Sequence, residues 1–404
     1  MNILLVSVLK PDAPSGVRVH YLALAAGLRR QGHTVDVVTP ADLTGWRRRA
    51  VAVLRHLLRR LGAVGQALAN PLSDYLHLRW AIAPARRYDV VNAQDAASGL
   101  AATHALDGRV PVVVTGHHND HPAADDLRQR PRPAAAARAL HRWHNHLLAR
   151  TRYFAAVSDY GLACIRPSLP ATALCRTLYN GIDFEKFAAP ATGTGPQWPG
   201  RHLLLNIGQL EGRKNQRLLI ETAHCLRQLR SDFVIGLVGQ GPDAPALLAR
   251  IAALGLTDQV QLLGYQESVA ALLAQASLYV HTATHETFGL VLVEAVAAGV
   301  PALALAVGGV PEVLAATPEA LLPPAIAPEA LAQQLNTWLT AAEARAALHH
   351  RQLAHARAHF AQPRHLAETL RFLKAAQQHF QQQNHPTAAP QPEPWEKYRL
   401  GNLA

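Results

Sequence analysis

Several things are scarce in this 404-residue chain. It has three cysteines, one methionine, 6% aromatic residues and 17% charged residues. Cys164, Cys175 and Cys225 fall into no metal-knuckle spacing and are too few for a disulfide scaffold, which suits a reducing compartment. No Asp-x-Asp occurs anywhere in the chain. The longest apolar run, Gly289–Pro311, is interrupted by Glu294 and Pro301, so it does not read as a membrane span. The opening MNILLVSVL has no basic residues before it and ends at Lys10-Pro11, too early for a span or a signal peptide. The most uneven absence is that of glutamate. Residues 1–180 contain none, and set 23 Lys+Arg against 11 Asp, an excess of twelve positive charges. The remainder sets 16 Lys+Arg against 17 Asp+Glu, so the whole formal charge of +11 belongs to the first half. Two domains with different partners are implied, the first meeting something anionic. Nucleic acid, an anionic membrane and a phosphorylated substrate all fit that charge.

What is present is a 49% apolar composition, enough for sizeable cores. Ile3–Val8 is a short, branched, apolar run of the kind that forms a buried strand. A loop follows, then apolar positions at helical spacing from Val17 to Gln31, Gly32 as a stop, and a second strand at Thr34–Thr39. This βαβ grammar implies a parallel sheet covered by helices. Strand-like runs recur at Asp89–Ala93, Val110–Thr115 and Tyr153–Val157. After the Pro/Gly-rich stretch Ala188–Gly200 they begin again at Leu203–Ile207, Phe233–Val238, Val260–Leu263 and Leu278–Val280. The expected organisation is an N-terminal domain over 1–187, a linker over 188–200, a second domain over 201–365, a C-terminal helix over 366–380 and a polar tail over 381–404. Both domains read as doubly wound α/β folds, which bind ligands beyond the carboxyl ends of their strands.

The most informative segment is HTATHETFGLVLVEAVAAGVPALALAVGGVPEVL, from His281 to Leu314. Seven residues separate Glu286 from Glu294. Phe288-Gly289 reads as a turn and Leu290–Ala298 as a buried helix. Glu286 then falls at the positive end of that helix, where anions are favoured. Glu294 falls about one turn inside, where a carboxylate on an apolar helix needs hydrogen-bond partners. A hydroxyl-rich ligand supplies them; so does a buried arginine or a backbone amide.

This block resembles the signature of the retaining GT-B glycosyltransferases of the GT4 group. The resemblance extends over about residues 1–375. It implies two facing doubly wound Rossmann-like domains with a cleft between them, and a nucleotide-diphosphate sugar as donor. It also implies that Glu286 contacts the donor sugar, that Glu294 contacts the ribose, and that the amides of Gly289, Leu290 and Val291 meet the diphosphate. The segment from Gly208 to Asn215 is similar to the family's G-R-L-x-x-x-K-G. Lys214 matches the lysine, Gln209 replaces the usual arginine, and Arg213 is the candidate second cation. Taken alone, Glu211, Arg213 and Lys214 also fit a solvated turn. Gly241 belongs to a G-x-G-P turn, Gly264 to the strand end that reads the base, and Gly16 to a phosphate-approaching loop. His117, with His118 as the alternative, matches the family's donor-facing histidine.

No cofactor or metal is required by this reading. The groups His117, His118, Asp120, His121 and His141, His144, His146 lack common zinc spacings. The basic runs match no nucleic-acid module, so no nucleic-acid partner is expected. Trp46–Leu61 places Arg47, Arg48, Arg49, Arg55, Arg59 and Arg60 around Val51, Leu54, Leu57, Leu58 and Leu61. Such a basic amphipathic helix suits an anionic membrane surface, or equally a solvated helix packed on a sheet. A second basic stretch runs from Arg128 to Arg152 and includes Trp143. The expected enzyme is a cytoplasmic hexosyltransferase, peripheral at the inner face of the cell membrane, with a glycan or lipid-linked acceptor. A nucleotide-sugar epimerase or a phosphorylase of the same architecture is the alternative.

Overall fold

The computed structural model describes residues 1–10, 16–188, 197–266 and 268–384. In chain order the first part runs β1 (Asn2–Val6), α1 (Gly16–Arg30), β2 (Thr34–Val38), α2 (Gly45–Arg59), α3 (Gly62–Ala81), β3 (Val90–Ala93), α4 (Ala96–Ala105), β4 (Val112–Gly116), α5 (Pro122–Gln129), α6 (Ala134–Leu148), β5 (Tyr153–Ala156), α7 (Asp159–Ile165) and β6 (Leu174–Thr177). The second runs α8 (Phe184–Ala188), β7 (His202–Ile207), α9 (Gln216–Leu226), β8 (Phe233–Val238), α10 (Ala244–Ala253), β9 (Val260–Gly264), α11 (Ala270–Leu273), β10 (Ala276–His281), α12 (Leu290–Ala297), β11 (Ala302–Leu305), α13 (Val310–Val313), β12 (Leu321–Leu322), α14 (Pro328–Thr340) and α15 (Ala342–Phe360). The helix α16 (Gln362–Asn384) follows.

Each part forms one six-stranded parallel sheet, in the orders β2-β1-β3-β4-β5-β6 and β12-β11-β10-β7-β8-β9. Strands such as Phe233–Val238 are buried along their whole length, as continuous branched and apolar runs require in a sheet covered on both faces. Both orders reverse direction once. The first sheet turns at β1/β3 and the second at β7/β10. Chain connections leave these points in opposite directions, which opens a crevice at the carboxyl ends of the strands.

The chain divides into two compact units, Met1–Tyr179 with the segment from Pro363 onward, and Asn180–Gln362. This departs from boundaries at 187 and 365. Ile182 pairs with Ala361, its amide donating to the Phe360 carbonyl (2.8 Å) while the Gln362 amide donates back to Ile182 (2.9 Å). Residues just after Asn180 are therefore stitched into the second unit. The last helix joins the first unit because its apolar face completes that core. Leu366, Phe372, Leu373 and Ala376 pack with Ile3, Leu5, Tyr21, Leu24 and Tyr153. A Cβ on Gly27 would meet Leu366 at 2.6 Å, so α1 and α16 approach as closely as a glycine allows. Most of the expected linker, 189–196, and most of the expected tail, 385–404, lie outside the described residues.

Leu373→Ala should destabilise the first unit by about 3 kcal/mol through the cavity it leaves. Urea unfolding followed by hydrogen exchange on β1 and β5 checks this. A loss below about 1 kcal/mol would show that α16 does not fill that core.

Candidate functional site

The second unit's reversal point gathers the E-x7-E block and the lysine loop. The loop leaving β7 makes a short 3₁₀ turn at Gly212–Lys214, then passes through left-handed Asn215 into α9. Two close backbone approaches fix its course. A Cβ on Gly239 would lie 1.9 Å from the Gly208 carbonyl oxygen, and one on Gly241 would lie 2.2 Å from that of Leu210. The G-x-G-P turn after β8 thus has glycines because it lies against the lysine loop.

From the other side the loop leaving β10 pins the same turn. The Thr284 amide donates to the Arg213 carbonyl (2.9 Å), and the Thr282 hydroxyl donates to the Lys214 carbonyl (2.9 Å). The Gly309 amide, in the GGVPE sequel, donates to the Glu286 carbonyl (3.0 Å). These tethers bring Lys214 Nζ to 2.6 Å from Glu286 Oε2, with both side chains mostly buried. Burial alone would raise the Glu286 pKa. The Lys214 ammonium, with help from the His281 ring, outweighs burial and holds the carboxyl well below the usual range.

His281, the last residue of β10, was missed by sequence reasoning. Its Nε2 lies 3.3 Å from Glu286 Oε2 and its Nδ1 lies 3.1 Å from the Tyr279 hydroxyl. Burial lowers its pKa, against the pull of Glu286, so the ring is neutral at pH 7. The neutral ring thus lies between the Tyr279 hydroxyl at Nδ1 and the Glu286 carboxylate near Nε2. A histidine on a buried strand reads as core, and only its place at the head of the quoted block could have flagged it.

Arg213 does not stand free as a second cation. Its guanidinium pairs with Glu211 (2.8 Å) and donates to the His285 carbonyl (3.3 Å), bracing the loop instead of facing away from it. Gly289 caps α12 in the left-handed region (φ 84°), and a Cβ there would press on Leu292 at 2.9 Å. The amides of Leu290 and Val291 then open the helix, where no intrahelical acceptor exists. Glu294 lies mostly buried on α12. Burial raises its pKa, and Lys186 on the packed α8 opposes this only weakly. Among the described residues none pairs with or hydrogen-bonds to its carboxyl. Gly264 ends β9 with φ 67°, and its carbonyl accepts from the Gly239 amide (2.8 Å).

In the first unit, Gly16 is the first residue of α1 and is exposed; the loop before it, 11–15, lies outside the described residues. His117 follows β4 and is half-buried. Its Nε2 lies 3.0 Å from Gln94 Oε1, and its ring meets His20 edge-on, which in turn meets His365. Burial, then His118, then His365, lower its pKa to about 3, so it is a neutral ring. His118 is likewise pushed down by burial. Among the described residues no group of three or more His, Cys, Asp or Glu could hold a metal ion.

Two sheets of this topology, the second carrying paired Lys and Glu at its reversal point, define a GT-B fold. Two family models match consecutive stretches: Glycosyltransferase Family 4 over residues 14–186 and Glycosyl transferases group 1 over 196–352. The chain belongs to these family 4, group 1 glycosyltransferases. It is 25% identical over 304 residues to phosphatidyl-myo-inositol mannosyltransferase of Mycobacterium leprae, covering 72% of this chain and 75% of that one. It is 46% identical over 83 residues to N-acetyl-alpha-D-glucosaminyl L-malate synthase of Bacillus anthracis, 20% of this chain and 22% of that protein. Anabaena Alr3699/HepE, solved in complex with UDP and glucose, superposes with a TM-score of 0.68 at 19% identity, over 93% of this chain and all of that one.

Lys214→Ala should cost about 3 kcal/mol at pH 7, because it leaves Glu286 buried and unpaired. The depressed Glu286 pKa contributes stability above its unfolded value near 4.5, so this cost should shrink as pH falls through that value. Denaturant titrations at pH 7 and pH 4.5 check the sign. An equal cost at both would place the effect outside the ion pair.

Proposed function

We propose that the protein transfers a sugar from a nucleotide-diphosphate sugar to an acceptor hydroxyl with retention at the anomeric carbon. The observation that carries this is the Lys214–Glu286 pair, 2.6 Å apart at the β7/β10 reversal point, beside the opening amides of α12. The donor's diphosphate accepts from Lys214 and from the amides of Leu290 and Val291. Its sugar hydroxyls donate to Glu286, which the lysine keeps ionised. The ribose hydroxyls donate to Glu294, whose carboxyl has no partner among the described residues.

In the reaction the anomeric C–O bond breaks and its electron pair goes to the diphosphate. The acceptor oxygen bonds to the same face, and its proton passes to the departing phosphate oxygen. Catalysis then consists of stabilising developing negative charge with fixed donors, which Lys214 and the helix amides supply. Arg213 contributes by bracing the loop. No covalent nucleophile or metal enters this scheme. The relatives' names describe transfer and synthesis, and no observation favours the epimerase or phosphorylase reading.

The acceptor is read as a lipid-linked or cell-envelope glycan precursor met at an anionic membrane. On α2 and just beyond it, Trp46 (71% exposed), Val53 (59%), Leu57 (51%) and Leu61 (69%) form one outward stripe, flanked by exposed Arg47, Arg49 and Arg60. Only Val51 of α2 is buried. Such a face gains by entering a headgroup layer, and its arginines select anionic lipid. The second basic stretch does not share this character, since Trp143 on α6 packs against the Ala93–Phe154 core cluster. Among the described residues no helix is long and apolar enough to cross a membrane.

Glu286→Ala should abolish transfer, and near-normal activity would undo this assignment. Glu294→Gln should raise the donor KM about tenfold, the loss of one charge-assisted hydrogen bond. It should also leave the free protein as stable or more so, because the buried carboxylate disfavours folding as pH rises through its raised pKa. Unchanged donor KM would remove Glu294 from the ribose site. Trp46→Ser with Leu57→Ser should cut binding to anionic vesicles at least tenfold, and the wild-type binding should weaken with salt. Equal wild-type binding to neutral vesicles would refute the membrane contact.

A further inference from the structure

Glu286 is held through one of its two oxygens. Lys214 Nζ lies 2.6 Å from Oε2, and His281 Nε2 lies 3.3 Å from the same atom. Among the described residues no hydrogen bond reaches Oε1. Two bases on one oxygen tie down half of the carboxylate and leave the other half for a ligand.

His281 is the less ordinary of the two bases. It ends β10 opposite Ala304 of β11, with 1% of its surface exposed. A strand position so enclosed suits an apolar side chain, and a polar ring there costs free energy unless its nitrogens find partners. Both ring nitrogens have polar atoms before them. Nδ1 lies 3.1 Å from the Tyr279 hydroxyl, and that hydroxyl donates in turn to the Ile207 carbonyl (3.4 Å). Nε2 is buried, makes no hydrogen bond among the described residues and stands before the Glu286 carboxylate.

A neutral imidazole has one N–H and one lone pair. With its proton on Nδ1, it donates to Tyr279, and a bare Nε2 faces the carboxylate. With its proton on Nε2, the Tyr279 hydroxyl has to leave Ile207 and turn to Nδ1. Each neutral form gives up one contact. The doubly protonated ring gives up none: Nδ1–H donates to Tyr279, Tyr279 to Ile207, and Nε2–H to Glu286. The same heavy atoms therefore accommodate an imidazolium. Burial works against that charge, Glu286 works for it, and the Lys214 ammonium and the Arg213 guanidinium oppose it. With Tyr279, these are the titratable and charged groups that face the ring.

A nucleotide-diphosphate sugar would shift this balance. Its phosphates bring more negative charge than Lys214 carries, and they compete with Glu286 for the one ammonium. Anions added beside a neutral imidazole favour its charged form. We propose that His281 is a positioning residue that takes up a proton when the donor binds and becomes the second counter-ion of Glu286. It then holds Oε2 while Lys214 engages the diphosphate, and Oε1 stays turned to the sugar hydroxyls. The proton comes from solvent and goes to the bare ring nitrogen; no other bond changes. This rests on the transferase reading above and adds to it a proton balance for donor binding.

The test is calorimetric titration of the full chain with UDP-glucose and with GDP-mannose, each in HEPES and in Tris at pH 7. The difference in buffer ionisation heat counts the protons, and neither probe titrates near that pH. A probe that binds should bring with it roughly half a proton per site. Its affinity should weaken about fivefold from pH 6.5 to pH 8, because the bound form holds the extra proton. His281→Gln still reaches toward Glu286 but does not titrate, and it should abolish the uptake and flatten the pH dependence. Tyr279→Phe removes the oxygen that accepts from Nδ1–H, and it should reduce the uptake. No uptake in the wild type, or an uptake unchanged in His281→Gln or in Tyr279→Phe, overturns the inference. A ring that merely fills the core would lower stability on substitution and leave the proton count alone. Failure of both probes to bind counts against the transferase reading, and the inference falls with it; binding without uptake overturns the inference alone.

Discussion

A buried ion pair that spans two loops is the constraint around which the second unit is arranged. Lys214 and Glu286 are distant in sequence, and each would be costly to bury alone. Their 2.6 Å separation holds only while the turn after β7 and the loop after β10 keep a fixed relation. The threonine bonds to the Arg213 and Lys214 carbonyls, the bond from Gly309 to Glu286 and the close seating of Gly239 and Gly241 all act on that relation. Electrostatic catalysis needs donors that do not reorganise as charge develops. Here rigidity comes from backbone contacts together with the ion pair itself.

The two sheets apply one topological rule to opposite ends. At β7/β10 opposite charges are already paired, and Glu286 is driven to its ionised form. At β1/β3 the Asp95 carboxylate instead takes the Val8 and Ser98 amides. The twelve excess positive charges of the first half have different surroundings. Some flank an outward apolar stripe on α2, and Arg59 donates to Asn70 on α3.

The grammar of the fold was readable because strands such as Ile3–Val6 and Phe233–Val238 are continuous apolar runs bounded by loops. The candidate site was legible only where one local block carries it: Glu286, Gly289 and Glu294 all fall on one loop and one helix. Long-range partners were not readable. Nothing near Lys214 in sequence announces Glu286 as its counter-ion, and His281 on its strand looks like any core residue. The return of α16 to the first unit also escaped, because its apolar face specifies burial without specifying which core receives it. The glycines after β8 looked like turn-formers, and their reason is the carbonyls lying against them.

The enclosed rings of the first unit have a consequence for how the protein meets acid. His20 meets both His117 and His365, and burial holds all three below their ordinary pKa, to about 3 for His117 and about 4 for His365. His144, on α6, is held to about 3 in the same way. The unfolded chain takes up these protons near pH 6.5, and the folded unit refuses them until well below that. Each such ring turns a falling pH into a pull toward the unfolded state, and the pulls add. The histidines that look like a buffering surplus in the composition therefore set the acid limit of the first unit, the one that α16 closes.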